Sequence, residues 1–340
     1  MSAEFEDVLL YAERPEWADV TPLPQYQGVD ALAPINYSAE YQDATDYFRG
    51  IVKAGEKSPR VLALTWNIIN MNPAHYSAWQ YRYKTLLAMG ADLEAELRLM
   101  DDFAVTNMKT YQVWHHRRLL LTALRSPAAA AAELAFTARV LAGDAKNYHT
   151  WSYRQWLLVH FNDDDEGGLW AGERAWVEEL LEKDVRNNSA WHHRFLVVWA
   201  SGVRRGDEDR EAVGRTESAF AKDKIALAPN NPSAWNYLRG VLEHTKTPFA
   251  TLTSFVELYI VSDAAEAPEV VDLDNPAPTE GAQLPCVHAL EFLADVYEQE
   301  GGEQVAKAVE IWKSLANEHD TMRKKYWEYR IRDGLQGARA

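Results

Sequence analysis

The sequence predicts an all-α fold, an α-α superhelix or solenoid of stacked helical hairpins. Three observations carry this. Six of the thirteen tryptophans share one local frame, apolar residues recur at helical spacing around them, and strand patterning is almost wholly lacking. The six are Trp79 in AHYSAWQYRY, Trp114 in KTYQVWHHRR, Trp151 in KNYHTWSYRQ, Trp191 in RNNSAWHHRF, Trp235 in NNPSAWNYLR and Trp327 in RKKYWEYRIR. An arginine stands three residues after the first four, at Arg82, Arg117, Arg154 and Arg194, and again at Arg330; in the fifth copy Leu238 takes the place and Arg239 follows. Two residues after each tryptophan is a tyrosine or histidine: Tyr81, His116, Tyr153, His193, Tyr237 and Tyr329. Successive tryptophans are 35, 37, 40, 44 and 92 residues apart, a drifting period in the range of two-helix repeats.

The elements follow in order. Residues 1–40 carry Pro15, Pro22, Pro24 and Pro34 among scattered aromatics and read as an extended arm suited to ordering against a partner. Residues 41–340 read as one helical-repeat domain. Each tryptophan copy is a helix; Pro73 and Pro232 each follow an asparagine suited to capping, where a first helical turn tolerates proline. Between the copies lie second helical patterns at Leu93–Asn107, Ala128–Gly143, Trp170–Asp184 and Arg210–Leu227. The alternation forces neighbouring hairpins to stack in a curved layer that buries their apolar faces. Asn162–Gly168 is an acidic loop, and the proline-rich stretch at about 263–285 reads as a linker that fills much of the long last interval.

Composition narrows the function. The chain has 340 residues, 47% of them apolar and 25% charged, the usual mix of a folded chain with a large core. Asp and Glu number 51 against 35 Lys and Arg, a net charge of −16 that disfavours nucleic acid and anionic membranes as partners. One cysteine, Cys286, excludes an internal disulfide and any zinc site needing two thiolates from this chain. The first residues, MSAEFEDVLL, show no signal peptide, and GLQGARA at the end shows no lipidation box. The most apolar stretch, Leu119–Gly143, is interrupted by Arg125, Glu133 and Arg139, short of the roughly 18 apolar residues a membrane span needs. No stable membrane insertion and a cytoplasmic location are expected.

Common catalytic motifs are missing: no HExxH, no GxGxxG after a strand, no P-loop and no GxSxG. The pairs His115-His116 and His192-His193 point about 100° apart on a helix, so they read as structural rather than as chelating pairs. Cys286 with His288 nearby lacks further support for thiol catalysis, and Asp163–Glu166 reads as a solvated turn. The tryptophan–arginine ridge reads as packing between hairpins, helped by guanidinium stacking on indole. One feature stands apart. Five residues before the tryptophan, three consecutive copies carry a base: Lys109, Lys146 and Arg186. This is the start of a helix, where unpaired N–H groups and partial positive charge favour phosphate. Tyr111 and Tyr148 follow with hydroxyl donors, which makes a diphosphate cradle plausible chemistry; solvated surface cations are the competing reading.

Taken together, AHYSAW, KTYQVWHHRR, KNYHTW, RNNSAW and NNPSAWNYLRG, with ERPEWADVTPLPQ and DYFRGIV before them and DTMRKKYWEYR after, resemble the repeats of protein prenyltransferase α subunits. The nearest resemblance is to the subunit shared by protein farnesyltransferase and type I geranylgeranyltransferase, and it spans nearly the whole chain. It implies a crescent of paired helices wrapped around a β subunit in an obligate heterodimer. That heterodimer moves farnesyl or geranylgeranyl from its diphosphate to the cysteine of a C-terminal CaaX box, on proteins such as Ras- and Rho-type GTPases. The resemblance places Zn2+ and the isoprenoid barrel on the β subunit, with Mg2+ expected for farnesyl transfer and no metal in this chain. It assigns Lys109 and Tyr148 to the diphosphate, with Tyr111, Asn147 and His149 nearby, and Gln112 to the substrate's C-terminal carboxylate. Thr110 departs from the asparagine usual in that motif. Two readings stay open beside this one: a Rab geranylgeranyltransferase α subunit, and a helical-repeat scaffold without enzymatic role.

Overall fold

A computed structural model describes residues 9–26, 28–161, 168–202, 209–261 and 272–337. These residues form helices and connecting turns, with no strand among them, as the repeat pattern leads one to expect. Two compact units divide the chain, Met1–Leu169 and Trp170–Ala340. The acidic residues 162–167 and the first part of the expected linker, 263–271, lie outside the described residues.

In the first unit the helices are α1 (Ala39–Ala54), α2 (Pro59–Met71), α3 (Tyr76–Met89), α4 (Leu93–Leu99), α5 (Asp101–Thr106), α6 (Tyr111–Leu124), α7 (Pro127–Gly143) and α8 (Tyr148–His160). Their ends follow from local chemistry. Ser38 accepts the Tyr41 N–H at the start of α1, and Ser126 accepts the Ala129 N–H at the start of α7, where Pro127 takes the first helical position. Gly55 ends α1 with φ of 72°, a left-handed conformation that costs glycine nothing.

Two sequence expectations need correction here. Pro73 does not open a helix: Asn72 closes α2, its Oδ1 accepts the Ala74 N–H, and the His75 ring caps α3 by accepting the Ala78 N–H. Pro232 does open its helix, with Asn231 as cap. The pattern Leu93–Asn107 is broken at Met100, where ψ is −2°; the Arg117 guanidinium draws off the Leu97 carbonyl at 3.2 Å.

The packing repeats a polar device inside the core. Two buried arginines of the first unit, each three residues past a tryptophan, reach forward to a glutamate on the next helix. Arg82 grips Glu96 through Nε and Nη2, both at 2.7 Å; Arg117 grips Glu133 at 2.8 and 2.5 Å. The same glutamate then takes the residue two past the following tryptophan. His116 Nε2 lies 3.0 Å from Glu96, and the Tyr153 hydroxyl donates to Glu133 at 2.7 Å. The second unit repeats this: Arg194 and Tyr237 share Glu217, and His193 meets Glu173 at 2.6 Å. All four glutamates lie twenty residues before their His or Tyr partner and are buried. Two of these arginines stack on indole, Arg82 over Trp66 and Arg330 over Trp312, while Arg117 and Arg194 lie over Phe136 and Phe220. A second device recurs beside the first. Trp79, Trp114, Trp151, Trp191 and Trp235 each donate the indole N–H to the carbonyl six residues back, at 2.8–3.0 Å.

The second unit contains α9 (Glu173–Lys183), α10 (Asn188–Val197), α11 (Arg210–Leu227), α12 (Pro232–Thr245), α13 (Thr253–Glu257), α14 (Val287–Glu300), α15 (Val305–Ser314) and α16 (Lys324–Gly337). Residues 272–286 are tied down: Thr279 N–H donates to the Ala226 carbonyl, the Tyr259 hydroxyl to Pro276, and Cys286 N–H to Tyr259. Cys286 is fully buried, its Sγ 3.0 Å from the Pro229 carbonyl, and burial pushes its thiol up, as for a structural cysteine. The sixth copy closes the unit: Trp327 is buried and donates to Asp320 at 3.0 Å, and Arg330 reaches Asp295 and Glu298.

The arm is partly ordered on its own chain. Tyr11 and Trp17 are buried, edge to face at 5.0 Å, and Trp17 meets Tyr47 of α1. Leu23 exchanges hydrogen bonds with the Asp46 carbonyl and Arg49 Nε. Gly50 permits this approach, since a Cβ there would sit 2.4 Å from the Thr21 carbonyl oxygen. Gly50→Ala is expected to lift the arm from α1 and cost on the order of 1–3 kcal/mol; hydrogen exchange at the Leu23 amide, unchanged in the variant, would refute the contact.

Glu96 also sets a pH dependence. Burial opposes ionisation of Glu96, but hydrogen bonds from His116 and Arg82 overcome it and hold its pKa down at about 2, against 4.5 for the free side chain. A depressed folded pKa contributes stability above the unfolded value and loses it as pH falls. The urea midpoint should therefore drop as pH is lowered from about 4.5 toward about 2, and Glu96→Gln should flatten that part of the curve. An equally steep fall in the variant would assign the effect to other carboxylates.

Candidate functional site

Each tryptophan helix follows the same kind of turn, and the sequence-predicted site residues sit at two of these helix starts in the first unit. The carbonyls of Met108 and Ala145, in the turns before α6 and α8, accept the indole N–H groups of Trp114 and Trp151. Each turn is thereby pinned to a buried ring. Lys109 and Lys146 lie in the turns, one residue outside the cap, and Tyr111 and Tyr148 are the first residues of α6 and α8. Lys109 is exposed, and its ammonium makes no ion pair or hydrogen bond among the described residues. Tyr111 and Tyr148 are 68% and 69% exposed, so both hydroxyls are open to a ligand.

Stacking of the hairpins brings the starts of α6 and α8 together. The Tyr111 ring meets the His149 ring edge-on, centroids 4.3 Å apart, and Tyr148 lies 5.5 Å from the same histidine. Burial lowers the His149 pKa, which keeps its ring neutral near pH 7. Arg118 ties α6 to α8 from behind, with Nη2 3.3 Å from the Ser152 carbonyl and its guanidinium over Trp156. Gln112 is half-buried at the second position of α6.

Asn147 caps α8. It is buried, its Oδ1 accepts from the Thr150 N–H and hydroxyl at 3.0 Å, and its Nδ2 donates to Asp144. The amide is committed to capping α8 and holds Tyr148 and His149 in place. Thr110, in the matching position of α6, makes no side-chain cap, so the first amides of α6 are left for another acceptor. Arg186 occupies the same turn position before α10, in the second unit.

The histidine pairs behave as helix geometry demands. His115 and His192 are exposed, while His116 and His193 are buried on glutamates. No group of three or more His, Cys, Asp or Glu side chains among the described residues is placed to hold a metal ion. Sequence reasoning missed the glutamate partners and Arg118. The glutamates carried a signal, a constant offset from the tryptophan frame; the Arg118 contact carried none.

Exposed donors at the starts of stacked helices, on a scaffold of repeated hairpins, define a helical-repeat protein with an anion-suited face. The family model "Protein prenyltransferase alpha subunit repeat" matches residues 58–89, 93–124, 130–161, 170–200 and 215–245. The chain is 34% identical to the protein farnesyltransferase/geranylgeranyltransferase type-1 subunit alpha of Dictyostelium discoideum, over 97% of this chain and 95% of that one. It is 31% identical to the geranylgeranyl transferase type-2 subunit alpha of Mus musculus, but over only 59% of this chain and 37% of the relative. Among solved structures it is similar to Candida albicans protein geranylgeranyltransferase-I complexed with GGPP, with a TM-score of 0.77, 28% identity, and coverage of 93% of this chain and 97% of that one. The chain belongs to the protein prenyltransferase alpha-subunit family.

Asn147→Ala should remove a cap and destabilise the first unit by about 1 kcal/mol. Urea denaturation checks this, and a midpoint equal to that of the unaltered chain would show that the cap adds nothing to stability.

Proposed function

We propose that the chain is the α subunit of a heterodimeric CaaX protein prenyltransferase of the farnesyltransferase and type I geranylgeranyltransferase kind. With a β subunit it transfers farnesyl or geranylgeranyl from the isoprenoid diphosphate to the cysteine of a C-terminal CaaX box, on substrates such as Ras- and Rho-type GTPases in the cytoplasm. The observation that carries the reading is the open cluster of Lys109, Tyr111, His149 and Tyr148 at two adjoining helix starts, in a chain of this family. No helix among the described residues is long and apolar enough to cross a membrane, which is compatible with a soluble heterodimer.

In this reading the cysteine sulfur bonds to C1 of the isoprenoid as the C1–oxygen bond breaks and the electron pair leaves with the diphosphate. Charge builds on the leaving oxygens. The Lys109 ammonium and the Tyr148 hydroxyl donate to that charge, and the uncapped first amides of α6 add to the field. Tyr111 supplies a further hydroxyl and buttresses the neutral His149 ring. Gln112 binds the C-terminal carboxylate of the CaaX peptide, and Asn147 acts through its cap by holding Tyr148. Zn2+ on the β subunit, when bound, makes the substrate thiol a thiolate at neutral pH, and Mg2+ neutralises diphosphate charge in farnesyl transfer.

Co-expression with a farnesyltransferase β subunit and transfer of labelled farnesyl to a CaaX peptide tests the reading. The co-purified pair should be active and either chain alone inactive. Lys109→Ala should lower the single-turnover rate by roughly 10²–10³, the usual cost of one such donor, with little change in peptide affinity. An unchanged single-turnover rate would remove Lys109 from the diphosphate, and a stable pair without transfer would leave a binding scaffold.

A further inference from the structure

The molecule displays one apolar segment that its own core does not use. Between the docked part of the arm and α1, residues 28–37 run over the surface of the first unit with Val29 64%, Leu32 104% and Ile35 58% exposed. Asp30 is the one charged side chain in this stretch of a chain whose net charge is −16. Aliphatic side chains this open are unfavourable in water and mark a contact surface when they cluster.

The segment is held, not loose. At its upstream end Leu23 is fixed to Asp46 and Arg49, behind the buried Trp17. At its downstream end Ser38 caps α1 and the Tyr37 ring lies 5.0 Å from Tyr41. Between these anchors the backbone makes two hydrogen bonds, Val29 N–H to the Tyr26 carbonyl and Ile35 N–H to the Tyr26 hydroxyl. The amides of Asp30 to Ala33 and of Asn36 have no partner among the described residues and can pair with another chain.

Position selects the partner. Tyr41 accepts from Asn72 at 2.9 Å and packs against His75, the cap of α3. The next residue, Tyr76, is the first of α3 and 74% exposed, in the repeat position that Tyr111 and Tyr148 hold in α6 and α8. An aromatic chain, Tyr37–Tyr41–His75, thus leads from the segment to the row of helix starts that carries the candidate site.

We propose that residues 28–37 are a docking strap for the β subunit, with Val29, Leu32 and Ile35 seated in an apolar groove of that subunit and the strap amides pairing with its backbone. This rests on the α-subunit reading, because the chain that brings the reaction to Tyr111 and Tyr148 is the one that covers the adjoining strap.

The test uses the full chain with a co-expressed farnesyltransferase β subunit. The double variant Leu32→Glu, Ile35→Glu should keep the urea midpoint of the unaltered chain, since both side chains are exposed, and bind the β subunit about 30-fold or more weakly by interferometry, the loss typical of contact hot spots. A second variant, Val52→Glu, alters an exposed apolar residue of α1 outside the strap and should bind as the unaltered chain does. Equal affinity of the strap variant overturns the proposal while leaving the α-subunit reading intact. A chain that is dimeric alone in sedimentation, and made monomeric by the strap variant without change in β-subunit affinity, also overturns it and makes the strap a self-contact. Failure of the unaltered chain to bind the β subunit counts against the α-subunit reading itself.

Discussion

The buried carboxylate shared by an arginine and a His or Tyr is the interaction on which the rest of the structure depends. Glu96, Glu133 and Glu217 each take two arginine nitrogens from one tryptophan helix and one donor from the next. Taking such charges out of water is costly, and a buried ion pair seldom stabilises more than well-packed apolar groups would. What the arrangement supplies is register. A hairpin shifted by one residue would leave a carboxylate and a guanidinium buried without partners, at several kcal/mol each. Apolar stacking alone tolerates such slips; a shared carboxylate does not.

Register in the core becomes geometry at the surface through the tryptophans. The ring that packs beside each node also holds the turn before its helix, by one hydrogen bond to a backbone carbonyl six residues back. Each of these turns is therefore built alike, and the residues displayed there vary freely. His75, Asn147, Asn187 and Asn231 cap their helices while Thr110 does not. Capping protects a helix start from solvent, and its lack at α6 leaves amide donors beside an exposed lysine. In the proposed function, the site is placed by sequence variation at a position that the scaffold keeps constant.

Much of this is legible in the sequence, and the exceptions have physical causes. Tryptophan and arginine recur in a frame that can be read by eye, so the hairpins and the displayed positions of Lys109, Tyr111 and Tyr148 follow from it. Glutamates recur in the same frame but sit on the partner helix among many other acids, and only their contacts single them out. Asn72 and Pro73 mislead because an asparagine closes a helix in an Asx turn as readily as it opens one. The break at Met100 coincides with a guanidinium from another helix on the Leu97 carbonyl, which no local pattern records. The family resemblance gives Asn147 a place near the ligand, and its neighbour Thr150 shows why the amide is occupied. Tyr11 and Trp17 read as part of a free arm because prolines surround them, yet two large aromatics beside a helix bearing Tyr47 and Phe48 have an apolar surface to bury against.

The candidate site gains rigidity from the same source. Glu133 binds Arg117, six residues into α6 past Tyr111, and Tyr153, five residues into α8 past Tyr148. One carboxylate therefore orients both helices whose starts bring Tyr111, His149 and Tyr148 within ring contact. Burial and the Glu133 charge push the Tyr153 hydroxyl well above its ordinary pKa, so it remains a donor throughout the physiological range. Donors held in this way need little rearrangement when charge develops in front of them, and that is the condition under which a hydrogen bond lowers a barrier instead of merely binding a ground state. The side chains that would meet a diphosphate are exposed and few; the groups that fix their positions are buried, charged and repeated. In the proposed function, a subunit of this design would contribute preorganised donors to a reaction whose remaining parts arrive on another chain.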